Sequence, residues 1–136
     1  MQIVIGIDPG VKTGFAAWDK TVSKYHLIDT VSILKAMEFV KLYKEMNVLQ
    51  QIRFEDARLR RWYGEAGRER MRGVGSVERD CTIWEEYCRQ MEIPFEAIHP
   101  RRVQTKRTAA YFKKVTGWPG RTSEHARDAA MIVFGL

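Results

Sequence analysis

No stretch of this chain approaches the roughly 18 consecutive apolar residues that span a bilayer, so no membrane-spanning helix is expected. The N-terminus lacks the basic region and small-residue cleavage site of a secretory signal. Residues 2–8 read instead as a strand of the mature fold. Cysteine is scarce, with only Cys81 and Cys88. On one helix, their separation corresponds to about 10 Å of rise, too far for a disulfide. Neither Cys-x-x-Cys nor a Cys/His zinc spacing occurs. Both are expected to be buried, reduced thiols in a cytoplasmic protein. Repeats, low-complexity tracts and long linkers are missing too, so residues 1–136 are expected to form a single domain around one core. At 45% hydrophobic and 29% charged residues, the composition is that of a globular chain rather than a disordered one.

Acid is absent from one long segment. Residues 98–122 hold seven basic residues and no Asp or Glu. Residues 57–79 hold seven arginines against three glutamates, a net of +4. The whole chain is +6, so everything outside these two segments carries −5. A mildly acidic body with two basic segments points to a polyanionic partner. Simple solvation is the plainer explanation, and it accounts poorly for an acid-free stretch of this length.

What is present begins with Asp8. It ends the apolar run Ile3-Val4-Ile5-Gly6-Ile7 and is followed by the turn signal Pro9-Gly10. A carboxylate at the tip of a buried strand is costly unless a donor, a cation or a metal pairs with it. Phe15-Ala16-Ala17-Trp18 opens a second strand and residues 24–30 a third. The short connections favour an antiparallel meander. Ser32 is placed to cap a helix from about Ile33 to Glu45. Residues 48–55 form a fourth strand, and the intervening helix implies a right-handed crossover to a parallel neighbour. Residues 57–73 read as a loop, or a helix start ordered by its partner. A helix is predicted from about Ser76 to Met91. Its stripe Val77, Cys81, Trp84, Cys88, Met91 serves either the core or a dimer seam. A fifth strand at 94–98, a short helix at 108–115, and a last helix capped by Thr122 or Ser123 and running through Phe134 complete the chain. The fold class is α/β: a five-stranded mixed sheet, three antiparallel strands plus two parallel, with helices on both faces.

Glu55 ends the fourth strand as Asp8 ends the first, and sites are built at that carboxyl edge of open α/β sheets. Asp56 is the rival, and it points to the opposite face or lies in the loop. In the last helix, Glu124, His125 and Asp128 share a face through three- and four-residue spacings. Glu124 also suits the helix dipole, and His125 also reads as a satisfied surface histidine. Asp128 lies next to the apolar run 129–134, where an aspartate needs a partner. Carboxylates converging in a basic protein suggest a hard-cation site. Magnesium or manganese is expected, with His125 tilting the preference toward manganese. Two such ions about 3.5–4 Å apart clamp both oxygens of a phosphodiester displacement, and Asp8 is best placed to bridge them.

Taken together, these residues resemble a known family. They are Ile5-Gly6-Ile7-Asp8-Pro9-Gly10 with Gly14, the strand-ending Glu55, the helix opening Arg72-Gly73-Val74-Gly75-Ser76, and His125-Ala126-Arg127-Asp128-Ala129-Ala130. In order and over nearly the whole chain, they resemble a RuvC-type Holliday junction resolvase, and the small size suggests a compact phage or prophage member. The resemblance implies an RNase H-like fold, a homodimer, two divalent ions (Mg2+ or Mn2+) per active site, and paired nicks across a four-way DNA junction. It implies metal-binding roles for Asp8, Glu55 and Asp128. The family position three before the last acid holds Asp or His, here His125. Glu124 has no clear counterpart and competes with His125 as fourth ligand.

On this reading Arg58, Arg60, Arg61, Arg68, Arg70 and Arg72 contact DNA phosphates, with affinity that weakens in salt. Trp62 and Tyr63 stack on unpaired bases or pack beneath the loop. Lys106 and Arg107 stabilise phosphate charge near the ions. The loop Leu59-Arg60-Arg61-Trp62-Tyr63-Gly64 does not align with the family, which leaves any cleavage-sequence preference open. Three rivals remain. The first is another RNase H-like nuclease acting on branched DNA or RNA–DNA hybrids. The second is an actin-like ATPase, for which 136 residues leave no room. The third is a non-catalytic DNA-binding module, in which one acid should be missing.

Overall fold

In the computed structural model, the backbone is described for residues 1–60 and 67–136, and side chains for 1–60 and 75–136. Strands β1 (Ile3–Asp8), β2 (Thr13–Asp19) and β3 (Lys24–Val31) form the antiparallel meander that their short turns require. Helix α1 (Ile33–Glu45) starts at Ser32, whose hydroxyl accepts from the Lys35 amide at 3.1 Å. It crosses over to β4 (Leu49–Glu55), parallel to β1. Helix α2 (Gly67–Gln90) makes the second crossover, to β5 (Phe95–Ile98), parallel to β4. Helices α3 (Ala109–Thr116) and α4 (Glu124–Val133) follow, with 3-10 turns at Ala57–Leu59 and Pro100–Arg102. The sheet order is β3-β2-β1-β4-β5, three antiparallel strands with two parallel ones added. Among the described residues no helix is long and apolar enough to cross a membrane.

Strand alternation divides the interior in two. Ile3, Ile5 and Ile7 of β1, Phe15 and Ala17 of β2, and Ile52 and Phe54 of β4 face α1 and α2. Val4, Ala16, Trp18 and Ile98 face α3 and α4. Helix α2 starts at Gly67 rather than near Ser76. The extra residues include Arg68, Glu69, Arg70 and Arg72, good helix formers, and Gly73 costs only about 1 kcal/mol. Its stripe is core and not a dimer seam. Cys81, Trp84 and Cys88 are fully buried against the sheet, with Val77 and Met91 packed at the margin. Both thiols are free, and burial pushes each up to about 12, which keeps them protonated.

Helix α4 lies unusually close to β1 and β2. Its inner face is Ala126, Ala129 and Ala130, all buried. Opposite stand Gly6 and Gly14. A Cβ on Gly6 would come within 2.2 Å of the Ala129 carbonyl oxygen, and one on Gly14 within 2.0 Å of the His125 carbonyl oxygen. Neither glycine has a positive φ, so close approach alone demands glycine there. Gly14→Ala must therefore push α4 outward, at a cost of about 1–3 kcal/mol or more. Gly75 in α2 has open space around it, and Gly75→Ala should stabilise by about 0.5–1 kcal/mol. Urea titrations of the two variants should move in opposite directions. A Gly14→Ala midpoint at or above wild type would contradict this packing.

Candidate active site

β1 and β4 are hydrogen-bonded parallel neighbours, with Ile7 opposite Phe54. Both of those side chains enter the α1/α2 core. The next residues, Asp8 and Glu55, therefore turn to the α4 face at the same carboxyl edge. Above them, α4 presents Asp128, only 8% exposed, and His125 one turn earlier. The Asp8 carboxylate accepts from His125 Nδ1 at 2.9 Å. That bond orients the imidazole and leaves Nε2 without a hydrogen-bond partner among the described residues. Asp128 Oδ1 accepts from the backbone amide of Lys106 at 2.9 Å.

The electrostatics are those of an undercompensated anionic cluster. Burial pushes the Asp8 carboxyl up to about 6. The His125 hydrogen bond opposes that shift, while the charges of Asp128 and Glu124 add to it. Burial pushes Glu55 up to about 7, and Asp8 and Asp128 reinforce it, with Arg60 acting against. Asp128 is also raised, first by burial. The Lys106 amide counters this and Glu124 adds to it. Glu124 is thus within electrostatic reach of Asp8 and Asp128, although it is exposed at the helix start.

Asp56 goes to the other side of the chain and is 2% exposed. Arg58 grips it with Nε on Oδ1 and Nη2 on Oδ2, both at 2.8 Å. Arg58 also reaches Glu85 at 3.0 Å and Thr82 at 3.3 Å. Grouped by sequence with the phosphate contacts, Arg58 instead spends its guanidinium on a bidentate ion pair that fastens the 57–59 turn to α2. Arg60 is exposed and close enough to act on Glu55. Arg61, Trp62 and Tyr63, and the side chains of Arg68, Arg70 and Arg72, lie outside the described residues.

Lys106 and Arg107 are exposed on the loop before α3. α4 holds that loop at the site. Besides the Asp128–Lys106 bond, Arg127 donates from Nε to the Arg107 carbonyl at 2.7 Å and from Nη1 to the Thr122 carbonyl at 2.6 Å. Lys106 has φ +56°, a left-handed backbone that its amide bond to Asp128 helps to hold. The Arg107 guanidinium lies over the Tyr111 ring at 5.0 Å. Sequence reasoning passed over Arg127. Its partners are two main-chain carbonyls and the Thr122 hydroxyl, and carbonyl partners leave no residue pattern.

The donor set suits a hard divalent cation: one buried and two half-buried carboxylates, all with raised pKa, and among the described residues an imidazole on Asp8 and an amide on Asp128 are the hydrogen-bond donors to them. Among the described residues no three His, Cys, Asp or Glu side chains stand close enough to share an ion. A bound ion would therefore have to draw Asp8, Glu55 and Asp128 inward.

Raised carboxyl pKa values fix the direction of a pH effect. The folded protein holds these protons more tightly than the unfolded chain does. The groups therefore cost no stability below about pH 4, and stability falls as pH rises toward 6 for Asp8 and 7 for Glu55. In chelator, Asp8→Asn should be more stable than wild type by roughly 1–3 kcal/mol at about pH 8, and the gain should vanish near pH 4. Urea unfolding at both pH values reads this out. A gain that grew on acidification would have the wrong sign. Arg58→Ala, by leaving Asp56 buried and unpaired, should cost on the order of 3 kcal/mol by the same method. A neutral result would return Arg58 to the pool of free cations.

No protein-family model and no curated protein sequence matches the chain. Among solved structures, it is similar to one described as T. thermophilus RuvC in complex with Holliday junction substrate. The TM-score is 0.59 and the identity 16%, over 98% of this chain and 91% of that one. The five-stranded mixed sheet, its strand order and its flanking helices are those of the RNase H-like fold that RuvC has.

Proposed function

We propose that the chain is a divalent-metal-dependent endodeoxyribonuclease that resolves four-way DNA junctions, acting as a homodimer that makes paired nicks. The observation that carries this reading is the convergence of Asp8, Glu55 and Asp128 on one face of the carboxyl edge, each with its pKa raised. The RuvC-like fold, the sequence motifs and the two basic segments point the same way.

In this mechanism Asp8, Glu55 and Asp128, with His125 or Glu124, hold two Mg2+ or Mn2+ ions. When bound, the ions activate the attacking water and stabilise the leaving oxygen of the phosphodiester. The chain's own residues do the remaining work. Asp8 keeps His125 in one orientation through Nδ1, so that Nε2 faces outward. Lys106 and Arg107, held by Asp128 and Arg127, supply fixed positive charge for the phosphate being cut. Arg60 offers another cation at the rim. The basic residues of the two segments bind the duplex arms, with affinity that falls as salt rises. The buried α2 stripe is committed to the core, so the dimer contact falls on other surfaces.

Cleavage of a four-way junction, a flap, a splayed duplex and an RNA–DNA hybrid, each with Mg2+ and with Mn2+, tests the substrate class. Paired nicks in the four-way junction at the highest rate are expected. Preference for the hybrid would replace this reading with that of an RNase H-type enzyme. Asp8→Asn should lower junction cleavage by at least about 100-fold while leaving junction binding essentially intact. Nicking near the wild-type rate would refute the metal assignment.

A further inference from the structure

An open cleft of about 600 Å³ lies beside the carboxylates, on the far side of His125. Its walls come from three separate places in the fold: Val11 and Lys12 on the β1–β2 turn, Thr30 and Val31 at the end of β3, and Ser123 with His125 at the start of α4. The size falls in the usual range for small-ligand sites, about 300–1,000 Å³.

Four features give the cleft a chemical character. Among the described residues no acid lines it, although the neighbouring edge carries Asp8, Glu55, Asp128 and Glu124. Lys12 is exposed and makes no ion pair among the described residues. Its position is set by a tight turn, in which the Thr13 hydroxyl donates to the Gly10 carbonyl at 2.8 Å. Val11 is 73% exposed, a large apolar side chain left at the mouth, with Val31 behind it. The Thr30 and Ser123 hydroxyls are hydrogen-bonded to each other and line the wall. An ammonium with no ion pair among the described residues, hydroxyls and an apolar surface match the phosphate, sugar and base of a nucleotide.

His125 joins the two regions. Its Nδ1 is bonded to Asp8, and its ring lines the cleft. A strand whose phosphate rests on the carboxylates therefore has the cleft as its immediate neighbour. We propose that this cleft receives the nucleotide adjacent to the scissile phosphate in the strand being cut, with Lys12 contacting that nucleotide's phosphate and Val11 and Val31 packing on its sugar or base. This rests on the nuclease reading and adds a positioning residue, Lys12, on the β1–β2 turn.

The test places single uncharged methylphosphonates, one at a time, at the phosphates flanking the cleavage point of a four-way junction. Cleavage is measured for wild type, Lys12→Ala and Lys12→Arg, each checked for an unchanged urea midpoint. Lys12→Ala should cleave unmodified DNA about tenfold more slowly, the loss expected for one charged contact. One flanking methylphosphonate should cost wild type a similar factor, yet cost Lys12→Ala nothing further. Lys12→Arg should recover most of the rate and the sensitivity. The subsite is refuted if Lys12→Ala matches wild type, or if the losses from variant and methylphosphonate multiply at every flanking position. Wild-type protein that cuts no branched or hybrid DNA sinks the nuclease reading and the subsite together. Cleavage with undiminished methylphosphonate sensitivity in Lys12→Ala sinks the subsite alone.

Discussion

Everything at the carboxyl edge depends on how closely α4 can lie on β1 and β2. The helix reaches its place because Gly6 and Gly14 carry no Cβ where the Ala129 and His125 carbonyls pass. Three buried alanines on the helix complete the fit. That approach sets His125 2.9 Å from Asp8 and puts Asp128 within electrostatic reach of Glu55. It also positions the basic loop, since Lys106 and Arg107 are tied to Asp128 and Arg127 of the same helix. One helix thus brings Asp128 and His125 to the Asp8 and Glu55 edge and holds the basic loop beside them, and its docking surface is glycine.

The opposing constraint is charge. Burial and the repulsion of neighbouring acids leave Asp8 and Glu55 with pKa values of about 6 and 7, so the protein carries an electrostatic burden at neutral pH. The contrast with Asp56 is informative. That carboxylate is more deeply buried than any of the three, but Arg58 neutralises it with two 2.8 Å contacts. The fold therefore can pair an acid with an arginine, and at the edge, among the described residues, no arginine grips the three acids in this way.

Much of this was legible in the sequence, because the signals were local. The run ending at Asp8, the Ser32 cap and the spacing of strands and helices carried the sheet and its crossovers. Period-2 alternation put Glu55 on the α4 face and Asp56 on the other. What stayed hidden depended on distant partners. Arg58 looks like any other arginine in a basic run until the fold brings Glu85 beside it. The start of α2 was obscured by Gly73 and Gly75, whose local penalty a long helix absorbs. Arg127 bonds mainly to main-chain oxygens, with the Thr122 hydroxyl as its one side-chain partner among the described residues. The cleft beside His125 needs a turn, a strand end and a helix start at once, and no periodicity announces that.

The central claim is that the three edge carboxylates exist to hold divalent cations. A crystal structure of the protein in Mn2+, with anomalous scattering recorded at the manganese edge, tests it most directly. The account predicts anomalous density between Asp8, Glu55 and Asp128, with the carboxylates drawn inward from their metal-free positions. Full occupancy of Mn2+ elsewhere on the protein, with these three side chains unmoved and unliganded, would contradict it.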